Sequence, residues 1–111
     1  MNTPFVKQLP SISSGYESVL RHPDSRKLRS GFVALEVGGE GHSHSTEEYE
    51  EMLVVLSGSG ELVTEKYGNF PLTLHSIAYV PPQTIHLVRN TGTEPMQYLY
   101  IVTIVEKSTD C

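Results

Sequence analysis

The sequence predicts an all-β chain folded as one sandwich or barrel, and three observations carry that expectation. No segment keeps a helical period over three turns. Runs of Val, Ile, Leu, Thr, Tyr and Phe are short and recur at intervals of roughly eight to twelve residues. Glycine and proline stand between these runs, where they break ladders and supply turns. At 111 residues the chain fits a single domain. Its 38% hydrophobic and 19% charged residues are a globular balance rather than a disordered one.

Taken in order, residues 1–15 read as a lead-in, with two prolines and an edge strand near Phe5–Leu9. Residues 16–105 form the barrel, and 106–111 read as a frayed tail. Tyr16 to Arg21 is a short strand, and His22-Pro23-Asp24-Ser25 is turn chemistry. Leu28 to Val37 is rich in strand formers and too short for a helix. Gly38-Gly39-Glu40-Gly41 breaks it. Glu51 to Leu56 is the next strand, turned at Ser57-Gly58-Ser59-Gly60. Glu61 to Tyr67 and Phe70 to Leu74 are expected to pair across Gly68-Asn69. Ile77 to Val80 stops at Pro81-Pro82, which cannot continue a ladder. Ile85 to Asn90 and Met96 to Val105 complete the set.

Composition excludes several functions. A net charge of −5 without a basic patch argues against nucleic acid as a partner. No apolar run approaches ~18 residues, so no membrane span is expected. Cys111 is the only cysteine, which leaves no disulfide framework and no Cys-based zinc site. With no signal-peptide pattern in Met1 to Lys7, a reducing, cytoplasmic setting is expected.

The chemistry concentrates between His42 and Gly58. His42 and His44 are two apart, and on a strand residues i and i+2 share a face. Counting in twos back from Val55 gives Leu53 and Glu51, so this carboxylate belongs to the same face as two apolar residues. Two imidazoles and a carboxylate on adjacent strands outline a transition-metal site. His-x-His alone is a weak signal, because it is common by chance. His86, Val88 and Asn90 share a face of a later strand. A lone histidine among apolar positions is more often a core residue than a ligand.

Together the two stretches resemble the cupin superfamily. Its first motif is G-x5-H-x-H-x3/4-E-x6-G, matched by His42-x-His44 and by Glu51-x6-Gly58. Its second is G-x5-P-x-G-x2-H-x3-N, matched by Pro81, His86 and Asn90. Two such motifs in the right order are far more specific than either alone. The resemblance implies a small double-stranded β-helix, or jelly-roll barrel. It also implies one divalent transition metal ion (Fe, Mn, Ni, Co, Zn or Cu) held by His42, His44, Glu51 and His86. A homodimer is implied as well.

Some positions depart from the pattern. His75 and Gln83 stand where the second motif has glycines, which bears on turn geometry rather than ligation. Glu36 stands where the first motif has its opening glycine. Six residues separate His44 from Glu51, where the family pattern has three or four. Counting forward from His44 selects Glu48; counting back from Gly58 selects Glu51. Strand register is fixed by pleat and turn while loops absorb insertions, so Glu51 is the assignment and Glu48 the alternative.

Three histidines and one carboxylate leave positions on an octahedral ion for a small-molecule ligand or substrate. Two readings stay open beside a third, a stable barrel with a vestigial site, which the intact ligand set argues against. One is a metal-dependent enzyme, a dioxygenase or an isomerase or lyase. The other is a non-catalytic module that binds a small molecule or sugar. Neither stretch offers a clear general acid or base. The predicted inward faces (Glu51, Leu53, Val55; His86, Val88, Asn90) carry no Lys or Arg, which disfavours a phosphorylated substrate. Tyr16, Tyr98 and Tyr100 are expected to fill the core first and line a pocket second.

Overall fold

The computed structural model describes residues 2–103. Nine strands make up the fold: β1 (Gly15–Leu20), β2 (Leu28–Leu35), β3 (His44–Ser45), β4 (Glu51–Ser57), β5 (Gly60–Thr64), β6 (Gly68–Leu72), β7 (Ile77–Val80), β8 (Ile85–Arg89) and β9 (Met96–Thr103). They form two antiparallel sheets, β1-β2-β9-β4-β7 and β3-β8-β5-β6. The architecture is the all-β jelly roll the sequence implies. Among the described residues no helix is long and apolar enough to cross a membrane. Residues 104 and 105, the tail 106–111 and Cys111 lie outside the described residues.

Alternation decides which side chains enter the core. Glu51, Leu53 and Val55 of β4 are buried while Met52 and Val54 between them are only partly so. Val33 and Leu35 of β2, Leu53 and Val55 of β4, and Met96 and Tyr98 of β9 meet Leu62, Leu72 and Val88 of the other sheet. The core therefore lies between the sheets. Each fully buried Leu or Val contributes about 1.5–3 kcal/mol from the apolar area it removes from water. The turn at Gly58 carries the chain from β4 in one sheet to β5 in the other. There φ is +74°, and a Cβ would stand 2.5 Å from the Pro95 carbonyl oxygen.

Two expected elements differ. The lead-in forms no strand near Phe5–Leu9. Pro4 and Pro10 lack the N–H a ladder requires, and side chains anchor this segment instead. Lys7 Nζ donates to the Val19 carbonyl (3.0 Å) and pairs with Asp24 Oδ2 (2.9 Å). Asn2 Nδ2 donates to the Pro23 and Asp24 carbonyls, both at 2.9 Å. The second hairpin turns at Glu65-Lys66-Tyr67, not at Gly68-Asn69. Thr64 Oγ1 closes that turn, accepting from Tyr67 N–H (2.9 Å) and donating to the Gly68 carbonyl (2.6 Å).

His75 and Gln83, in place of the family's glycines, have φ of +65° and +57°. A left-handed backbone costs a residue with a Cβ roughly 1–2 kcal/mol, part of which glycine returns as unfolded-chain entropy. Gln83→Gly should therefore stabilise the chain by about 0.5–1 kcal/mol, read as an upward shift in the urea midpoint. Asn90 has the opposite role. Fully buried, it donates to the Leu35 and Glu94 carbonyls and accepts from Gly92 N–H, each at 3.0 Å. Asn90→Ala orphans these groups and should cost about 2–3 kcal/mol in the same titration.

Candidate metal centre

The site forms where an edge of one sheet faces the middle of the other. β3 is two residues long and pairs with β8 so that His44 lies opposite His86. The imidazole centroids are 4.5 Å apart. Thr46 and Thr84 clasp this short ladder. Thr46 N–H donates to the Thr84 carbonyl (3.1 Å), Thr84 N–H to Thr46 Oγ1 (3.1 Å), and Thr46 Oγ1 to the Pro81 carbonyl (2.6 Å). Glu51 opens β4 in the opposite sheet and reaches across the core. Its Oε1 lies 3.0 Å from His86 Nε2 and 3.7 Å from His44 Nε2. Ligand atoms of His44, Glu51 and His86 all lie within 4.8 Å of one another.

The hydrogen bonds of the two rings fix what they present to Glu51. His86 Nδ1 lies 3.1 Å from the Thr84 carbonyl, and His44 Nδ1 lies 3.2 Å from the His42 carbonyl. A carbonyl only accepts, so each Nδ1 carries the hydrogen and donates. In a neutral imidazole Nε2 is then a bare lone pair. The contact from His86 Nε2 to Glu51 is within ion-pair reach but does not meet hydrogen-bond geometry, and Nε2 is a buried nitrogen with no hydrogen-bond partner. Two nitrogen lone pairs and a carboxylate oxygen facing one another call for a positive charge among them. Imidazole nitrogen and carboxylate oxygen are the donor set of a divalent transition metal, and these residues fit one.

His42 is placed differently. It lines the same cavity but is not part of the three-residue cluster. The chain before β3 already follows β8, with Gly41 N–H donating to the Val88 carbonyl (2.8 Å) and Glu40 bridged to Arg89. From Glu40 to His44 the chain advances four residues, while β8 advances three from Arg89 to His86. That extra residue is a bulge that breaks the regular pleat between Glu40 and His44, and His42 reaches the cavity wall without joining the cluster. Glu48 is exposed on the loop before β4.

Titration follows from the geometry. Burial pushes the Glu51 carboxyl up, but the His44 and His86 imidazoles outweigh it and hold the group below the ordinary carboxylate value. The Glu51 carboxylate raises His44 above the ordinary histidine value, against the opposing effect of its partial burial. Burial also raises Tyr98 and Tyr100, so both phenols stay protonated well beyond neutral pH.

The cavity beside the cluster has a volume of about 430 Å³, toward the small end for small-molecule sites. Tyr16, Tyr98, Tyr100, Leu53 and Val88 contribute to its wall. Tyr16 stacks on Tyr100 with centroids 5.9 Å apart. The Tyr100 ring lies over Gly31, where a Cβ would come within 2.6 Å of its Oη. Arg29 also lines the cavity. This corrects the expectation of an inward face without cations, which considered β4 and β8 but not β2. Arg89 does face outward, pairing with Glu40 (2.7 Å) and Glu61 (3.7 Å). A larger depression of about 590 Å³ is lined by the ion-paired Lys7 and Asp24, and among the described residues it holds no such cluster of ligand atoms.

A family model described as the cupin domain matches residues 31–102. The chain belongs to the cupin family. Auxin-binding protein 1 of Arabidopsis thaliana is 41% identical over 69 residues, 55% of this chain and 33% of that protein. This cupin thus spans about a third of the length of that relative. Among solved structures, a conserved protein with a double-stranded β-helix domain from Klebsiella pneumoniae superposes with a TM-score of 0.73 at 23% identity, covering 85% of this chain and 80% of that one. The cupin domain of Schizosaccharomyces pombe Cnp3 gives 0.72 at 17%, covering 81% and 64%. These two likenesses are of fold alone. An RmlC-like cupin from Desulfovibrio desulfuricans gives 0.69 at 27%, covering 80% of each chain.

Metal uptake by this cluster would depend on pH through these pKa shifts. Protons compete with a metal for His44 Nε2 below its raised pKa, while Glu51, lowered, is ionised throughout. Affinity for Zn(II) should climb as pH rises from about 5 and flatten once the raised His44 value is passed, as measured by calorimetric titration. In the metal-free chain, the His44 contribution to stability is complete below the ordinary histidine pKa and lost as pH rises through the raised one. The Glu51 contribution is complete above the ordinary carboxylate pKa and lost as pH falls through the lowered one.

Proposed function

We propose that this cupin binds one divalent transition metal ion through His44, Glu51 and His86, with His42 as a fourth ligand, and acts as a metal-dependent enzyme on a small organic molecule in the adjoining cavity. The observation that carries the reading is His86 Nε2, buried and without a hydrogen-bond partner, turned toward a buried carboxylate. Nothing but a cation or a proton makes that pair favourable. When bound, such an ion polarises a ligand oxygen or lowers the pKa of bound water.

The chain's own residues divide the remaining work. His86 and His44 offer lone pairs, with the Thr84 and His42 carbonyls holding the ring tautomers. Glu51 neutralises part of the ion's charge. Leu53, Val88 and Val102 exclude water from one side. Tyr98 and Tyr100 keep their phenolic protons at the cavity wall, where they can donate hydrogen bonds to a bound ligand. This supports a dioxygenase-like, isomerase or lyase reaction. A second reading, metal-dependent binding without turnover, is supported by the relative named for binding auxin. Pairing of two copies belongs to the same proposal, supported by exposed Ile77 and Tyr79 on the sheet edge β7.

Elemental analysis of protein purified without a metal-affinity step tests the core of this. One ion per chain is expected. Glu51→Gln should lower metal affinity at least ~100-fold and Glu48→Gln less than ~3-fold. Loss of metal only in the Glu48 variant would move the carboxylate ligand to that residue. Oxygen uptake with diketones or catechols on the iron-loaded chain separates an oxygenase from the non-redox readings.

A further inference from the structure

We infer that Arg29 makes this cavity selective for small organic acids, gripping the ligand's carboxylate while its apolar body lies against the aromatic and aliphatic wall. The inference rests on the metal-centred reading above and specifies the ligand class for that site.

Position comes first. Arg29 on β2 pairs with Val102 on β9, and Val102 pairs with Glu51 on β4. Directly paired residues project to the same side of a sheet. Arg29, Val102 and Glu51 are thus one row across three strands, and all three line the cavity. The next row, Gly31, Tyr100 and Leu53, continues the same wall.

Charge comes second. Among the described residues lining the cavity, Glu51 and Arg29 are the only Asp, Glu, Lys or Arg. Glu51 is turned to His44 and His86. Arg29 has no carboxylate partner among the described residues, whereas Arg89 pairs with Glu40 and Glu61, and Lys7 with Asp24. Its guanidinium carbon lies 5.4 Å from the Tyr49 ring centroid, a contact that leaves the in-plane N–H donors for a ligand. A divalent ion at the cluster would add to that positive charge. The cavity would then be cationic in a chain of net charge −5, which concentrates anions there.

The wall decides which anion. Tyr16, Tyr100, Leu53 and Val88 offer surface for an apolar body, which inorganic phosphate does not have. A planar guanidinium fork matches a carboxylate through two parallel N–H···O bonds.

The test uses the full chain, with Zn(II) content measured, and matched acid and amide probes. These are acetate and acetamide, benzoate and benzamide, and 3-phenylpropanoate and 3-phenylpropanamide, with inorganic phosphate as a further probe. Calorimetry should show an aryl acid binding about tenfold to hundredfold more tightly than its amide, the factor expected of a charge-assisted contact. In Arg29→Met the ratio should fall below about threefold, with Arg29→Lys intermediate, while zinc content is unchanged in both variants. Acids that bind wild type no better than their amides overturn the inference. So does an Arg29→Met chain that keeps the ratio, which assigns selectivity to the metal alone. Phosphate binding as tightly as the aryl acids overturns the carboxylate class. A chain that takes up no zinc fails the metal reading separately; the acid-to-amide ratio is then read on the metal-free protein, where Arg29 still requires a preference for the acid.

Discussion

Two imidazoles that turn Nε2 toward one carboxylate oxygen set the condition the rest of this barrel must meet. Each ring spends its Nδ1–H on a backbone carbonyl, so in the neutral form neither has a hydrogen left for Glu51, and the raised His44 pKa reflects the proton this arrangement draws in. At 3.0 and 3.7 Å, acceptors of this kind repel unless positive charge lies among them. Burial makes the demand sharper, because the low local dielectric strengthens both the repulsion and its relief. An ion that binds only the folded chain adds to stability by mass action, by about 2.7 kcal/mol at a hundred times its dissociation constant. Site and fold are in this sense one equilibrium.

The convergence depends on barrel closure. His44 and His86 belong to one sheet and Glu51 to the other, so no single hairpin contains the site. The weakest part is β3, with two residues of ladder. Its position is secured by the Thr46–Thr84 clasp and by Gly41 bonding to Val88, not by strand length. Asn90 ties the far end of β8 to the end of β2 and to the turn after it. The polar residues that look incidental in the sequence thus hold the strand that carries His86.

How much could be read from residues alone follows the same physics. Glu51 was legible because β4 alternates cleanly and ends at a glycine turn that fixes its phase. The positive φ of His75 and Gln83 was legible because each replaces a turn glycine. The separation of His42 from the three-residue cluster was not legible, since a bulge of one residue between Glu40 and His44 leaves no compositional trace. Arg29 was missed because β2 buries Ser30, Phe32 and Ala34 as well as Val33 and Leu35, so the two faces of the strand look alike. Its orientation emerges only from pairing with β9, a contact between residues some seventy positions apart. The lead-in was misread as a strand because its apolar residues outweighed two prolines that forbid a regular ladder.

Gly31 lacks the one carbon that would collide with the Tyr100 ring, and that ring forms part of the chamber's wall. The shape of the chamber is therefore governed from the strand pair β2–β9, whereas the imidazoles belong to β3 and β8. Descendants of such a barrel can change which molecule they admit by altering positions 31 and 100 while leaving His44, Glu51 and His86 untouched. Cavity shape and the imidazole–carboxylate cluster are then separate heritable traits of one small scaffold.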